Sequence, residues 1–208
     1  SMPLRVAADT TVGTYVLPHI LGAFHRRHPA IAFKLHVANR ADVRTYLLAG
    51  EVDLVIAGRP PDVDGLVVEP FLANPLVAVA SSKHELVTQT QVSLARLAEE
   101  VFLLREVGSG TRAAVEELFE VVGIPLKIGM VLGHVEAIKQ VVAAGLGVSV
   151  LSEAAVKREV RYRRLVILQV EHFPIQRRWY IARLAQRPLM TSAAEFIEFL
   201  REYRLRSG

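Results

Sequence analysis

The sequence predicts an α/β protein made of two similar lobes, and three observations carry that reading. Leu4 to Pro29 reads as a short buried strand, a polar Asp9-Thr10-Thr11 corner and an amphipathic helix. Asp53-Leu54-Val55-Ile56-Ala57-Gly58 is a short apolar run, the pattern of a parallel strand covered on both faces. The second half of the chain then repeats strand, polar corner, helix, strand, helix, strand. Such an echo predicts a second lobe like the first, with a cleft between them.

Each element follows from its local pattern. In the first unit the helix stripe is Val16, Leu17, Ile20, Leu21 and Phe24, at spacings of one, three and four. Thr10 or Thr11 suits the N-cap, because a hydroxyl there accepts from an unpaired N–H of the first turn. Pro29 stops the helix, and His25, Arg26, Arg27 and His28 complement its negative end. Ile31, Phe33, Leu35 and Val37 alternate with polar or small residues, as in a half-buried strand that ends at Asn39-Arg40. Ala41–Ala49 reads as a helix with Val43, Leu47 and Leu48 inward, closed by Gly50. The apolar strand that follows ends in a rigid loop, Gly58-Arg59-Pro60-Pro61. The order βαβαβ is that of an open parallel sheet.

Leu66–Phe71 and Leu76–Ala80 read as two more strands, and Ser81–His84 as a crossing into the second lobe. There Ser93–Glu99 is a short helix and Val101–Arg105 an apolar strand that empties into Glu106–Arg112. The next helix turns Val115, Leu118, Phe119 and Val122 inward and ends at Gly123. Strand Leu126–Leu132 leads through Gly133-His134-Val135 into helix Glu136–Ala144, and Gly145-Leu146-Gly147 turns the chain into strand Val148–Leu151. Ser152–Val160 is a helix with Ser152 as its cap, though Ala155 stands where a capping box has Glu. Leu165–Val170 and Arg177–Leu184 are strands, with Trp179 and Tyr180 read as core. The final helix, Thr191–Tyr203, offers Ala194, Ile197, Phe199, Leu200 and Tyr203 as its apolar face.

Composition narrows the function classes. The chain has 208 residues, 51% of them hydrophobic, enough for a sizeable core. It has 25 Lys+Arg against 21 Asp+Glu, a mild basic excess of +4. The densest basic runs, His25–His28 and Lys157–Arg164, read as solvated helix ends and loops. The absence of cysteine excludes disulfides, zinc–thiolate sites and thiol nucleophiles. No apolar run reaches the roughly 20 residues that span a bilayer, and no signal-peptide pattern precedes the first strand. The expected location is the cytoplasm, with no membrane partner. Ser1-Met2 precedes a chain that begins abruptly at a strand, so a segment upstream is expected to be missing.

The polar corners hold the chemistry. A strand emptying into a helix start offers N–H donors to an anion. Gly108-Ser109-Gly110-Thr111 is a glycine-rich turn into a helix, able to cradle an anion or to serve only as a tight turn. It lacks the lysine and spacing of a P-loop, and Val107 and Thr111 stand where a nucleophile elbow needs glycine. Arg59 can hold a carboxylate or phosphate bidentately, or form a surface salt bridge. His134 can hydrogen-bond a ligand or merely face solvent. His25 and His28, spaced i,i+3, could in principle hold a metal, but the sequence shows no obvious carboxylate or third His to join them, and a solvated basic end is the expected reading. No acid–base pair, metal cluster or nucleophile triad stands at persuasive spacing, so no catalytic residue, metal or cofactor is expected.

Four pieces taken together carry a family likeness. They are D-T-T-V-G-x-Y-V-L-P followed by F-x-x-x-x-P, then G-E-V-D-L-V-I-A-G-R, E-x-G-S-G-T-R and E-A-I-K-Q-V-V-A-A-G-L-G-V-S-V-L-S. The chain resembles, over nearly its whole length, the effector-binding domain of LysR-type transcriptional regulators. The last two pieces look most like the subgroup that controls the Calvin-cycle (RuBisCO) operon. The resemblance implies two Rossmann-like subdomains joined by two crossover strands, as in periplasmic binding proteins. By position these are residues 1–80 with 183–208, and 81–182. It also implies an N-terminal winged helix-turn-helix that reads promoter DNA, which this sequence does not contain.

By the same resemblance the effector is a small anionic metabolite in the cleft between subdomains. Carried over by position, its lining is Thr10, Thr11, Asn39, Arg40, Gly58-Arg59, His134, Val135 and Glu136, completed by Gly108, Ser109, Gly110 and Thr111. Effector domains of the family pair as homodimers through a helix and a strand of each copy, and intact members form tetramers. Two other readings stay open on the sequence: an extracytoplasmic solute-binding protein of a transporter, and a cleft enzyme.

Overall fold

The structure, a computed structural model, describes residues 2–60 and 62–207. In chain order it forms β1 (Leu4–Asp9), α1 (Thr10–Tyr15), α2 (Leu17–Arg27), β2 (Phe33–Ala38), α3 (Arg40–Leu48), β3 (Leu54–Ala57) and β4 (Leu66–Ala73). Next come β5 (Leu76–Ser81), a 3-10 turn at Glu85–Thr88, α4 (Leu94–Leu97), β6 (Val101–Arg105), α5 (Gly110–Val122), β7 (Lys127–Leu132) and α6 (Val135–Ala143). The order closes with β8 (Ser149–Ser152), α7 (Glu153–Arg161), β9 (Leu165–Ile167), β10 (Arg178–Leu184) and α8 (Thr191–Ser207). The chain divides into two compact units: one takes the chain up to Ala73 and from Arg178 onward, the other is Asn74–Arg177.

The first unit is a five-stranded sheet in the order β2-β1-β3-β10-β4. β1 pairs in parallel with β2 and β3, as the βαβαβ order requires. β10 returns from the far end of the chain and runs antiparallel to both β3 and β4, so the sheet is mixed and not wholly parallel. On one face, Val43 and Leu47 of α3 pack on Ala7, Val55, Ala57 and Ala182. The helices α2 and α8 meet through aromatic rings: Phe24 lies 5.0 Å from Phe196 and 5.4 Å from Phe199, both edge-on. Burying one such ring is worth about 1.5–3 kcal/mol. Arg201 of α8 grips the Glu69 carboxylate of β4 with two bonds of 2.9 Å each. Those bonds, with Glu198 beside them, hold the Arg201 guanidinium above its ordinary value.

Several sequence expectations change here. The stripe from Val16 to Phe24 is not one helix; the chain turns at Val16, at φ −119° and ψ −54°. Pro18 explains the break, since it lacks an N–H for a continuous helix but is tolerated in the first turn of a new one. The N-cap of α1 is Asp9, not Thr10 or Thr11, and it makes no side-chain cap hydrogen bond. Gly13 sits where α1 presses on the sheet: a Cβ there would lie 2.9 Å from Val37 Cγ2. Leu48, expected inward, is 44% exposed, because one residue past Leu47 turns it about 100° off the stripe. On α8, Ala193 and Phe196 are buried where Ala194 was expected. Trp179 is buried in β10. Pro61, in the predicted rigid loop, lies outside the described residues.

The second unit has an antiparallel sheet, β8-β5-β9, and a parallel pair, β6-β7. An isolated bridge between Phe102 and Val148 links β6 to the approach to β8. The strand read as the end of the first lobe is bonded into this unit: Leu76 lies opposite Ser152 and Ser81 opposite Leu165. The boundary drawn at residues 182 and 183 falls inside β10, which belongs wholly to the five-stranded sheet. The strand predicted to reach Val170 stops at Ile167, and Val170 makes only a single bridge to Val92. One core gathers Leu76, Ala78, Leu97, Phe102, Val115, Phe119 and Val150. Val122, expected inward on α5, is 38% exposed. Ser152 stands at the N-cap of α7 without a side-chain cap bond. Among the described residues no helix is long and apolar enough to cross a membrane.

Candidate functional site

The parallel register of the first unit decides where its polar corners go. Asp9 lies opposite Ala38, and Ala8 opposite Ile56. The turns after β1, β2 and β3 therefore leave from one end of the sheet, and with them Thr10-Thr11, Asn39-Arg40 and Gly58-Arg59. This is the C-terminal end of parallel strands, where open α/β sheets bind ligands. Asp9 Oδ2 accepts the Gly58 N–H at 2.6 Å, tying the first turn to the third. Thr11 is buried and Thr10 half-buried in the first turn of α1. Asn39 Oδ1 accepts the Asp42 N–H at 3.2 Å and so caps α3, a contact worth about 1 kcal/mol. Arg40 opens α3 half-buried. Arg59 is exposed and forms no ion pair with a described residue.

The second unit repeats the arrangement. Arg105 of β6 lies opposite Leu132 of β7 in parallel register. The turns Glu106–Ser109 and Gly133–His134 therefore leave the same end of that pair. Gly108 takes φ +98°, the left-handed region that glycine enters without strain. Ser109 is buried and caps α5, its hydroxyl accepting the Arg112 N–H at 3.3 Å. Gly110 is exposed at the start of the helix, and Thr111 is half-buried behind it. His134 is exposed at the N-cap of α6 and makes no cap bond with its ring. Val135 is buried, and Glu136 is exposed, with one oxygen 2.7 Å from Lys139 Nζ.

Three side chains at these turns were not read from the sequence as functional. In the sequence Asp9 reads only as part of a polar corner. Lys139 is 3% exposed, with its ammonium 2.9 Å from the Ala155 carbonyl and 3.2 Å from Glu159. It ties α6, whose first turn carries Val135 and Glu136, to α7. Arg105 is buried at the end of β6 and holds Glu106 through two bonds, at 2.7 and 3.1 Å. The i,i+3 spacing of Glu136 and Lys139 was a signal for the first pair, but nothing local announces a buried lysine.

Two cavities lie elsewhere. One of about 520 Å³ in the second unit is lined by residues that include Val77, Ile167, Leu168 and Phe173. Another of about 350 Å³ in the first unit lies between Leu21, Phe24 and His25 and the strand residues Ile31 and Phe33. Neither is lined by the ligand residues expected from the sequence. No group of three or more His, Asp or Glu among the described residues is placed to hold a metal ion.

Comparison with known proteins gives concordant matches. The model of the LysR substrate binding domain matches residues 1–204. A RuBisCO operon transcriptional regulator of Allochromatium vinosum is 42% identical over 197 residues, which is 95% of this chain and 65% of the relative. Another, from Acidithiobacillus ferrooxidans, is 40% identical over 197 residues, 95% of this chain and 63% of the relative. The chain thus spans a little under two thirds of the length of these regulators. Among solved structures, the regulatory domain of CcmR from Synechocystis PCC6803, in complex with 2-PG, superposes with a TM-score of 0.93. It is 39% identical, and the match covers 97% of each chain. The effector-binding domain of QuiR, in complex with shikimate, shares the fold at TM-score 0.87 and 19% identity, over 99% of this chain and 98% of that one.

Proposed function

The chain belongs to the LysR substrate-binding domain family, and from that premise we propose that it senses a small anionic metabolite on behalf of a transcription regulator. The observation that carries this reading is the gathering of Thr10, Thr11, Arg40 and Arg59 at one end of β2-β1-β3. Hydroxyls donate single hydrogen bonds there, and an unpaired guanidinium recognises a carboxylate or phosphate with two parallel bonds. Within the second unit, taken by itself, the turn Gly108–Thr111 and the start of α6 at His134–Glu136 stand at one end of β6-β7, and helix starts of this kind offer first-turn N–H groups to an anion. The reading is of a binding domain, not an enzyme.

The 39% identity to a regulatory domain solved with 2-PG makes that compound the first to test. The ligand acts by population shift, favouring one conformation of the regulator over another. A 10- to 100-fold difference in affinity between the two conformations supplies roughly 1.4–2.8 kcal/mol of coupling, ordinary for allostery. Promoter DNA is read by a separate winged helix-turn-helix, and the intact regulator is tetrameric and cytoplasmic. The strand–helix alternation from β1 to β3 supports the finer, Rossmann-like description of the first unit.

Homodimers of this domain are the second part of the reading. Two edge strands support it, β2 in the first unit and β7 in the second. On β7, Ile128 is 49% and Val131 53% exposed, an apolar edge that a second copy would cover. Calorimetric titration with 2-PG tests the ligand, and sedimentation of the ligand-free domain tests the dimer. Saturable heat and a dimeric mass are expected. No heat from any phosphorylated or carboxylated metabolite, or a monomer at high concentration, contradicts the respective part.

A further inference from the structure

The C-terminal end of α7 and the turn behind it carry a charge pattern unlike the rest of the molecule. Lys157, Arg158, Arg161, Arg163 and Arg164 fall within eight residues, and all five are exposed. None pairs with a carboxylate among the described residues. Several other surface arginines do: Arg96 with Glu85, Arg177 with Glu117, Arg201 with Glu69, Arg206 with Glu202. The one acidic residue inside this run, Glu159, is drawn inward onto Lys139 at 3.2 Å and is 16% exposed. Glu153 lies in the opposite, first turn of the helix. With Glu159 counted, residues 157–164 carry a net +4, the whole net charge of the chain, so the remainder is neutral.

Neighbouring elements extend the patch. Ser81, the last residue of β5, lies opposite Leu165, the first of β9. Exposed Lys83 therefore leaves the sheet at the end where Arg163 and Arg164 enter it. Tyr162 stands among the arginines, 67% exposed. Complementing the negative end of α7 needs only the cations of its last turn, Arg158 and Arg161. Arg163 and Arg164 lie beyond it. Arg163 moreover takes φ +57°, where glycine would sit without strain. An exposed side chain kept in that conformation contributes its charge and reach, not packing.

We propose that this surface binds the phosphodiester backbone of nucleic acid without reading its sequence. Four guanidiniums and two ammoniums around one helix end present the planar donor forks that suit phosphate oxygens. The surface is a second contact with nucleic acid, independent of the ligand reading and of any helix-turn-helix. Affinity then rests on counterion release and depends steeply on salt.

The test uses the chain itself and a short labelled duplex of arbitrary sequence, followed by fluorescence anisotropy. With three or four phosphate contacts at a slope of about −0.9 each, affinity falls about 40- to 150-fold between roughly 50 and 200 mM salt. Duplexes of different sequence bind equally. The double variant Arg161→Glu/Arg164→Glu binds at least about 10-fold more weakly, and its salt slope falls by about two. Arg161→Gln/Arg164→Gln gives the same direction without reversing charge. The control Arg26→Glu/Arg44→Glu makes an equal change of net charge on exposed arginines elsewhere and leaves binding unchanged. The proposal is overturned by no binding at low salt, by equal loss in the control, by a sequence preference, or by polyglutamate that fails to be outcompeted by DNA.

Discussion

The Asp9 carboxylate accepts the backbone N–H of Gly58 at 2.6 Å, joining the ends of two strands that lie 49 residues apart in sequence. The bond fixes the turn that carries Thr10 and Thr11 against the turn that carries Arg59. A partly buried hydrogen bond to a charged group contributes about 1.5–3 kcal/mol. Asp9→Ala should therefore lower the urea unfolding free energy by about that amount. Asp9→Asn keeps an acceptor and should lose less. Equal stability of Asp9→Ala and the parent would show that the clasp contributes nothing.

Arg59→Ala and Thr11→Val should each weaken metabolite binding without unfolding the domain. Arg59 is exposed and packs no core, and valine has the shape of the buried Thr11 without its hydroxyl. Loss of one charge-assisted hydrogen bond, about 1.5–3 kcal/mol, corresponds to about 10- to 150-fold in affinity. Calorimetry on both variants checks this, and unchanged affinity in both would show that these turns do not hold the ligand.

Lys139 is buried between Glu136 and Glu159. Removing the cation leaves the Glu159 carboxylate, only 16% exposed, without its partner ammonium. Lys139→Ala should cost about 3–5 kcal/mol. Glu136→Gln should cost no more than about 1 kcal/mol, because Glu136 is 61% exposed. Denaturant midpoints of the two variants measure the difference, and similar losses would mean that the burial of Lys139 has no energetic consequence.

Arg27 lies 2.8 Å from Glu202 and holds its carboxyl below the ordinary value, with Arg206 adding to the effect. A depressed carboxyl stabilises the folded chain above its unfolded value and loses that contribution as pH falls through the folded one. The melting-temperature gap between the parent and Glu202→Gln should thus be present at neutral pH. It should close as pH drops below the ordinary glutamate value of about 4.3. A gap that stays constant across that range would remove the ion pair as its cause.

Much of this was legible in the sequence, for physical reasons that also explain the failures. The run Leu54–Ala57 is apolar on both faces, and such a run fits only a strand covered on both sides. Asn39, Ser93 and Ser109 announce helix starts because their side chains satisfy first-turn N–H groups within three residues. The partner strands of β5 were not legible, since they lie roughly seventy to ninety residues on and antiparallel pairing over that distance leaves no local period. The break at Val16 was legible in principle: Pro18 stood inside the predicted helix, and the apolar stripe outweighed it. The clasp between Asp9 and Gly58 and the burial of Lys139 depend on which turns the tertiary fold brings together, and no spacing rule encodes either.

The most direct measurement is a thermal-shift screen of phosphorylated and carboxylated metabolites, 2-PG included, on the chain and on Arg59→Ala. At about 100 times its dissociation constant a ligand adds roughly 2.7 kcal/mol of stability. At least one anion should raise the melting temperature of the parent, with the increase lost or much reduced in Arg59→Ala. A panel in which none moves it, or in which parent and variant respond alike, would contradict binding at the strand ends.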